Sequence, residues 1–158
     1  MVRYEGKTLI TLNVNGELHE PAVRPSDLLL DVLRNQLGLT AAKPGCKNGD
    51  CGACTIIMDG WPAKSCLVLA VEAEGHVIVT VEGLGGTAAI QRAFVEQNAF
   101  QCGYCTSGFL MVCHALQIQH PVPPEELVIE EWLQSNLCRC TSYQEIRKAV
   151  NCIYSNRK

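Results

Sequence analysis

The stretch Pro44-Gly45-Cys46-Lys47-Asn48-Gly49-Asp50-Cys51-Gly52-Ala53-Cys54 organises the first half of this chain. Its three cysteines are spaced C-x4-C-x2-C, and a fourth cysteine, Cys66, follows after eleven further residues. This spacing with a distant fourth cysteine is typical of 2Fe–2S clusters of the plant type. The glycines of the loop can take positive φ and let backbone amides approach the sulfurs. The first cysteine set, Cys46, Cys51, Cys54 and Cys66, is therefore predicted to hold one 2Fe–2S cluster.

Composition limits the classes of protein to which the chain can belong. Of its 158 residues, 47% are apolar and 18% are charged, which predicts a packed core and not disorder. The net charge of −3 and the lack of a basic cluster argue against nucleic acid as a partner. No apolar run approaches the ~20 residues of a membrane helix, and residues 1–7 lack the apolar core of a signal peptide. We therefore expect a cytoplasmic protein with no membrane partner.

The chain contains ten cysteines, which is many for a cytoplasmic protein of this size. A disulfide scaffold is one explanation, but the cytosol would keep such thiols reduced. Ligation of a metal or cluster is the favoured explanation for eight of them. Cys113 and Cys152 are predicted to be core residues, because a free cysteine on an apolar helical face behaves as a small hydrophobe.

The first half has a strand pattern. Residues 8–23 are predicted to form a β-hairpin, because Asn15-Gly16 is the preferred type I′ turn between two β-rich runs. Ser26 is predicted to cap the helix that follows. Residues 55–58 and 76–81 are predicted to be further strands. A hairpin, a helix across it and a cysteine loop resemble the β-grasp fold of plant-type ferredoxins.

The second half changes to a helical pattern. The glycine-rich residues 82–87 lack the fingerprint of a dinucleotide loop or a P-loop and are interpreted as a linker. Four helices follow, with Thr87 predicted to cap the first and Thr106 or Ser107 the second. The predicted fold is α+β. A plant-type 2Fe–2S ferredoxin-like β-grasp domain covers residues 1–82, and a helical 2Fe–2S-binding domain, a four-helix bundle, covers residues 83–158.

Two further cysteine pairs lie in predicted turns between helices. They are Cys102-x2-Cys105 and Cys138-x1-Cys140, and antiparallel helices could bring their four thiolates together. Four thiolates can hold either zinc or a 2Fe–2S cluster. Zinc loops usually separate paired ligands by about two to four residues, so the one-residue spacing favours a second 2Fe–2S cluster at this second cysteine set. Zinc remains the alternative.

Three segments together resemble the signatures of one family: residues 45–55, 101–106 and 136–141. The family is the small iron–sulfur subunit of the xanthine dehydrogenase family of molybdenum hydroxylases, and the resemblance spans nearly the whole chain. Two positions depart from the family pattern, which usually has proline in place of Ser107 and glycine in place of Ser142. Neither is a predicted ligand, but both could alter the local fit near a partner.

The resemblance implies a role in electron transfer. In this family, electrons pass from a molybdopterin centre to FAD through two 2Fe–2S clusters, and the helical-domain cluster lies nearer the molybdenum. By the same resemblance, Gln101 and Cys140 approach the pterin. Hydroxylation of the substrate takes place on another subunit, so the chain is expected to serve a xanthine dehydrogenase-like oxidoreductase without being catalytic alone.

The resemblance also implies partners. They are a large molybdopterin-binding subunit and an FAD-binding subunit, assembled with this chain as a hetero-oligomer. A purine such as xanthine or hypoxanthine is the leading expectation for the substrate of the complex, with nicotinate, an aldehyde or another N-heterocycle as the alternative. A free two-cluster ferredoxin and a structural zinc protein are less favoured alternatives.

Overall fold

The computed structural model describes residues 6–141 and 143–155, which form a β-grasp half followed by a helical half. The strands are β1 (Thr8–Leu9), β2 (Leu12–Val14), β3 (Glu17–His19), β4 (Ala22–Val23), β5 (Thr55–Met58), β6 (Trp61–Lys64) and β7 (Val77–Val79). The α-helices are α1 (Leu29–Asn35), α2 (Ala89–Glu96), α3 (Thr106–Gln119), α4 (Glu126–Leu133) and α5 (Tyr143–Ser155). Short 3₁₀ helices cover Ala70–Ala73 and Val81–Leu84.

The main sheet has five strands in the order β3-β2-β7-β5-β6. β2 and β7 are parallel, and the other neighbours are antiparallel. Asn15 and Gly16 both have positive φ, of 56° and 84°, as a type I′ turn requires, so the predicted hairpin is confirmed. Helix α1 covers this sheet with Leu29, Leu30 and Leu33 fully buried. The predicted α+β fold with a β-grasp half is confirmed.

The predicted helix caps are wrong. Helix α1 begins at Leu29, beyond Ser26, and no side chain caps it. Its first amides instead donate to distant backbone carbonyls, from Leu29 to Val68 (2.8 Å) and from Leu30 to Ser65 (3.0 Å). Because tertiary contacts satisfy these N–H groups, a local capping side chain is not needed.

Two helices of the second half also begin without the predicted capping side chains. Helix α2 begins at Ala89, and the side chain of Gln91 accepts a hydrogen bond from the amide of Ala88, so Thr87 is not the cap. Helix α3 begins at Thr106 with Cys105 as its N-cap. The cysteine turn therefore leads directly into α3.

Helix α3 is central to the helical half and is buried on nearly all sides, as predicted. Its residues 107–113, together with Ala115 and Leu116, are buried. One face packs on the bundle, and another packs on the sheet, where Met111 and Ala115 contact Ile57 of β5. The rings of Trp61 and Trp132 stack across the same junction with centroids 6.2 Å apart. The two halves therefore share a buried interface.

Each half also has its own hydrophobic core. The predicted boundary between residues 82 and 83 falls within the 3₁₀ helix Val81–Leu84, and this division into domains stays a prediction. Cys113 is fully buried, as expected for a core residue, whereas Cys152 is half-buried at the edge of the helical core. Ser142, one of the two departures from the family pattern, lies outside the described residues.

In the part of the chain that the structure describes, no helix is long and apolar enough to span a bilayer.

Ser107 gives a test of the packing at the start of α3. Its side chain is 8% exposed, and within the described residues its hydroxyl has no hydrogen-bond partner. Replacing Ser107 by alanine removes an unsatisfied buried hydroxyl, so we expect the free energy of unfolding to rise by about 1 kcal/mol. Urea denaturation of the purified protein would measure the change.

A matched control is Ser65→Ala. Ser65 is fully buried, but its hydroxyl donates to the carbonyl oxygen of Cys54 at 2.7 Å. Its removal is expected to lower the free energy of unfolding by about 1–2 kcal/mol. A loss of stability in Ser107→Ala comparable to that in Ser65→Ala would contradict the prediction.

Candidate iron–sulfur centres

The first cysteine set lies in the loop between α1 and β5 and in the segment after β6. The loop is closed by the amide of Lys43, which donates to the carbonyl of Ala53 at 2.9 Å. The amide of Cys51 donates to Cys46 Sγ at 3.3 Å. A Cβ atom at Gly45 would lie 2.6 Å from Cys51 Sγ, so only glycine lets the backbone pass this sulfur.

The thiols of the first set differ in environment. Amide hydrogen bonds, led by that of Cys51, lower the pKa of Cys46 to about 7. Burial, followed by the hydrogen bond with the Cys54 thiol, raises the pKa of Cys66 to about 11. Cys46 also contacts the Cys51 thiol. The four thiols therefore meet as two pairs, Cys46 with Cys51 and Cys54 with Cys66.

The second cysteine set is formed by the turn before α3 and the turn before α5. Burial, followed by the Cys138 thiol, raises the pKa of Cys105 to about 12. At the more exposed edge, the thiol of Cys102 raises the pKa of Cys140. The amide of Thr141 donates to Cys138 Sγ at 3.2 Å. These four thiols also meet as two pairs, Cys105 with Cys138 and Cys102 with Cys140.

Both sets fit a 2Fe–2S cluster in their chemistry. Such a cluster takes four thiolates, two at each of its irons, and amides near the sulfurs help to set its potential. Over residues 6–141 and 143–155, no three His, Cys, Asp or Glu side chains are grouped as a single metal ion would require. The close passage of Gly45 past a sulfur is a further feature of a cluster cradle.

The two cysteine loops are joined directly to each other. The amide of Leu137, next to Cys138, donates to the carbonyl of Cys51 at 2.9 Å. The fully buried Asn136 donates from Nδ2 to the carbonyl of Gly52 at 3.1 Å. Because both bonds connect a residue of the first loop with one of the second, the two sets are held in a fixed relation.

Tyr143 holds the second loop from the other side. Its hydroxyl donates to the carbonyl of Asn136 at 3.0 Å and accepts from the amide of Cys138 at 3.3 Å. The ring packs edge-on against Phe109 at a centroid distance of 5.8 Å. Tyr143 therefore fixes the backbone on which Cys138 sits.

Lys64, Asn136 and Tyr143 were not among the residues predicted from the sequence to be functional. Asn136 is the first residue of the signature segment 136–141, but no role was predicted for its side chain. Lys64 is a cation two residues before Cys66, in a strand whose other side chains are apolar, and this position was the signal that could have singled it out.

The two turns of the second set also form the exposed end of the helical half. Gln101, Cys102 and Cys140 are exposed there. Tyr104 and Leu137 are large hydrophobic side chains that are 48% and 56% exposed. We call these five residues the outer face. Exposed large hydrophobic side chains together with exposed thiols give this end of the helical half a partly apolar surface.

Two protein families match this chain. The family described as a 2Fe-2S iron-sulfur cluster binding domain matches residues 12–79, and the family described as a 2Fe-2S binding domain matches residues 80–151. The nicotinate dehydrogenase small FeS subunit of Eubacterium barkeri is 43% identical over 147 residues, which are 91% of this chain and 93% of that protein.

A second relative and a solved structure are also similar to this chain over nearly its whole length. The caffeine dehydrogenase subunit gamma of a Pseudomonas species is 48% identical over 150 residues, which are 92% of this chain and 90% of that protein. A chain in the crystal structure of quinoline 2-oxidoreductase from Pseudomonas putida 86 matches with a TM-score of 0.89 and 40% identity, over 96% of both chains. The likeness therefore covers both halves and both cysteine sets.

Proposed function

Because the chain belongs to the small iron–sulfur subunits of the xanthine dehydrogenase family of molybdenum hydroxylases, we propose that it relays electrons from a molybdopterin centre to FAD. The observation that carries this proposal is that two four-thiol sites lie on loops that are joined by hydrogen bonds. A 2Fe–2S cluster at each site would take up and release one electron at a time.

The chain's own residues would hold and insulate these centres. Four cysteines would bind each cluster: Cys46, Cys51, Cys54 and Cys66 at the first, and Cys102, Cys105, Cys138 and Cys140 at the second. Cys54 and Cys66 are buried, which keeps water from that side of the first site. The amides of Cys51 and Thr141 donate to ligand sulfurs and would favour the charged thiolate form.

The second site is the better candidate for the molybdenum side. Cys102 and Cys140 are exposed on the outer face beside Gln101, whereas two cysteines of the first set are buried. We therefore propose that the outer face docks on a large molybdopterin-binding subunit, with Gln101 and Cys140 nearest the pterin. An FAD-binding subunit would complete the hetero-oligomer on the side of the first site.

A nitrogen heterocycle is the proposed substrate of the complex, with a purine such as xanthine as the first candidate. The names of the similar proteins support this class, since nicotinate, caffeine and quinoline are all nitrogen heterocycles. Nicotinate itself and aldehydes are the alternative substrates that the assay would include. We place the complex in the cytoplasm, where free thiols remain reduced and available for clusters.

The test is isolation of the native complex through a tag on this chain. We expect about four irons with matching sulfide per chain and two distinguishable paramagnetic signals on reduction. Molybdenum and FAD should be present in the same fractions. An assay against purines, nicotinate, other N-heterocycles and aldehydes would then identify the substrate.

Three outcomes would overturn different parts of the proposal. A complex with iron but neither molybdenum nor flavin would indicate a free two-cluster ferredoxin. Zinc in place of iron would indicate a structural metal protein. Preferential oxidation of aldehydes would overturn only the substrate class.

A further inference from the structure

Lys64, at the end of β6, carries an ammonium group that reaches from the sheet into the helical half. Its Nζ donates to the carbonyl of Ser135 at 2.7 Å, to Asn136 Oδ1 at 2.7 Å and to Thr55 Oγ1 at 3.2 Å. An ammonium has three N–H donors, so all three have an acceptor. Because two of the acceptors belong to the helical half, the position of the charge depends on the packing of the two halves.

The acceptors are neutral, so this positive charge is not compensated by them. The ion pairs among the described residues are formed by other cations, among them Lys47 with Asp31 and Arg147 with Glu126. Lys64 is half-buried, and water and salt screen such a charge less than one on the surface. The electric field of the Lys64 ammonium therefore acts on neighbouring groups with little screening.

The cysteines of the first set lie near Lys64. Burial lowers the pKa of Lys64, and Coulombic interaction with the four cysteines, led by Cys54, opposes this shift. The position agrees with this, since a Cβ atom built at Gly52 would lie 2.8 Å from Nζ. The ammonium thus stands over the loop backbone between two ligands of the first site.

We propose that the positive charge of the Lys64 ammonium raises the reduction potential of the first site relative to the second. The proposal rests on the proposed function, in which each cysteine set holds a 2Fe–2S cluster. One added electron increases the negative charge of a site by one, and no bond forms or breaks. A fixed positive charge nearby stabilises the reduced form more than the oxidised form.

The consequence is a direction for the relay. In this relay, the first site would receive its electron from the second site, which would be oxidised in the transfer. A higher potential at the first site makes this transfer more favourable. Since Ser135 and Asn136 hold the ammonium, the same contact that joins the halves also places the charge.

The test is a redox titration of the intact complex with dithionite, in which the two paramagnetic signals are followed separately. The variants are Lys64→Gln and Lys64→Met, which remove the charge, and Lys64→Arg, which keeps it. In the neutral variants we expect the reduction equilibrium of the first site to become about tenfold less favourable, which is about 59 mV for one electron. The reduction equilibrium of the second site should change by less than about threefold. Lys64→Arg keeps the charge, so its first site should stay close to that of the unaltered complex.

Lys47→Gln is the matched control. Lys47 is next to Cys46 in the same loop, but it is exposed and already faces Asp31 at 3.5 Å, so its removal should leave both potentials nearly unchanged. Equal potentials in Lys64→Gln and the unaltered complex would overturn the proposal. So would loss of iron from the first site in both neutral variants but not in Lys64→Arg, because Lys64 would then be only a structural clamp. Two signals and four irons in the unaltered complex test the proposed function separately.

Discussion

Replacement of Gly52 by alanine is expected to lower the free energy of unfolding by about 4 kcal/mol, because a left-handed residue costs ~1 kcal/mol and overpacking adds up to ~3 kcal/mol. Gly52 has φ +68°, and an added Cβ would lie 2.0 Å from Asn136 Oδ1 and 2.8 Å from Lys64 Nζ. Both neighbours are held by hydrogen bonds and cannot move without breaking them. Denaturation of the purified protein would measure the loss.

Gly75→Ala separates the two causes. Gly75 has a similar backbone, φ +83°, but an added Cβ would meet nothing within 4 Å. It is expected to lose only about 1 kcal/mol, the cost of the left-handed backbone alone. Equal losses in the two variants would show that the close packing of Gly52 against the helical half contributes nothing.

Replacement of Cys138 by alanine is expected to remove the second cluster while leaving the first in place. Iron should fall from about four to about two per chain, since a 2Fe–2S cluster needs four ligands. One of the two paramagnetic signals should disappear. Substrate oxidation with the natural acceptor should fall by at least about 100-fold, because the relay is interrupted between the molybdenum centre and the first site.

The control for this variant is Cys113→Ala. Cys113 is also a cysteine of the helical half, but it is fully buried in the core, where burial raises the pKa of its thiol. Its replacement should leave four irons and both signals, with a loss of only about 1 kcal/mol of stability. If Cys138→Ala kept both signals, Cys138 would not be a cluster ligand.

The Gly52 and Lys64 variants change the same junction between the two halves. Gly52, Lys64 and Asn136 meet where the loop of the first cysteine set contacts the loop of the second. The hydrogen bond that the amide of Leu137 donates to the carbonyl of Cys51 lies at the same place. A change that separates the halves should therefore affect both stability and electron transfer, whereas loss of the Lys64 charge should affect potential above all.

Much of the fold could be predicted from local patterns. Asn15-Gly16 predicted the hairpin because positive φ at two consecutive positions strongly restricts the residue types that fit. The burial of α3 on nearly all sides was predicted because apolar residues occur all round the helix. The helix caps at Ser26 and Thr87 were predicted wrongly, because capping rules assume that a helix start is satisfied by its own neighbours. In α1, carbonyls of the distant residues 65 and 68 take that role.

By itself, the sequence determined the two cysteine sets, the strand and helix halves, and the family, because these depend on residue types at short spacings. Only the tertiary structure decided how the thiols pair, for instance Cys105 with Cys138, and which neutral side chains join the two loops. Lys64 and Asn136 are separated by 72 positions, and their hydrogen bond exists only after the sheet and the bundle pack together. Contacts between distant residues leave no periodic pattern in one sequence. The stretch from Pro44 to Cys54 therefore predicted a cluster site but not the charge placed beside it.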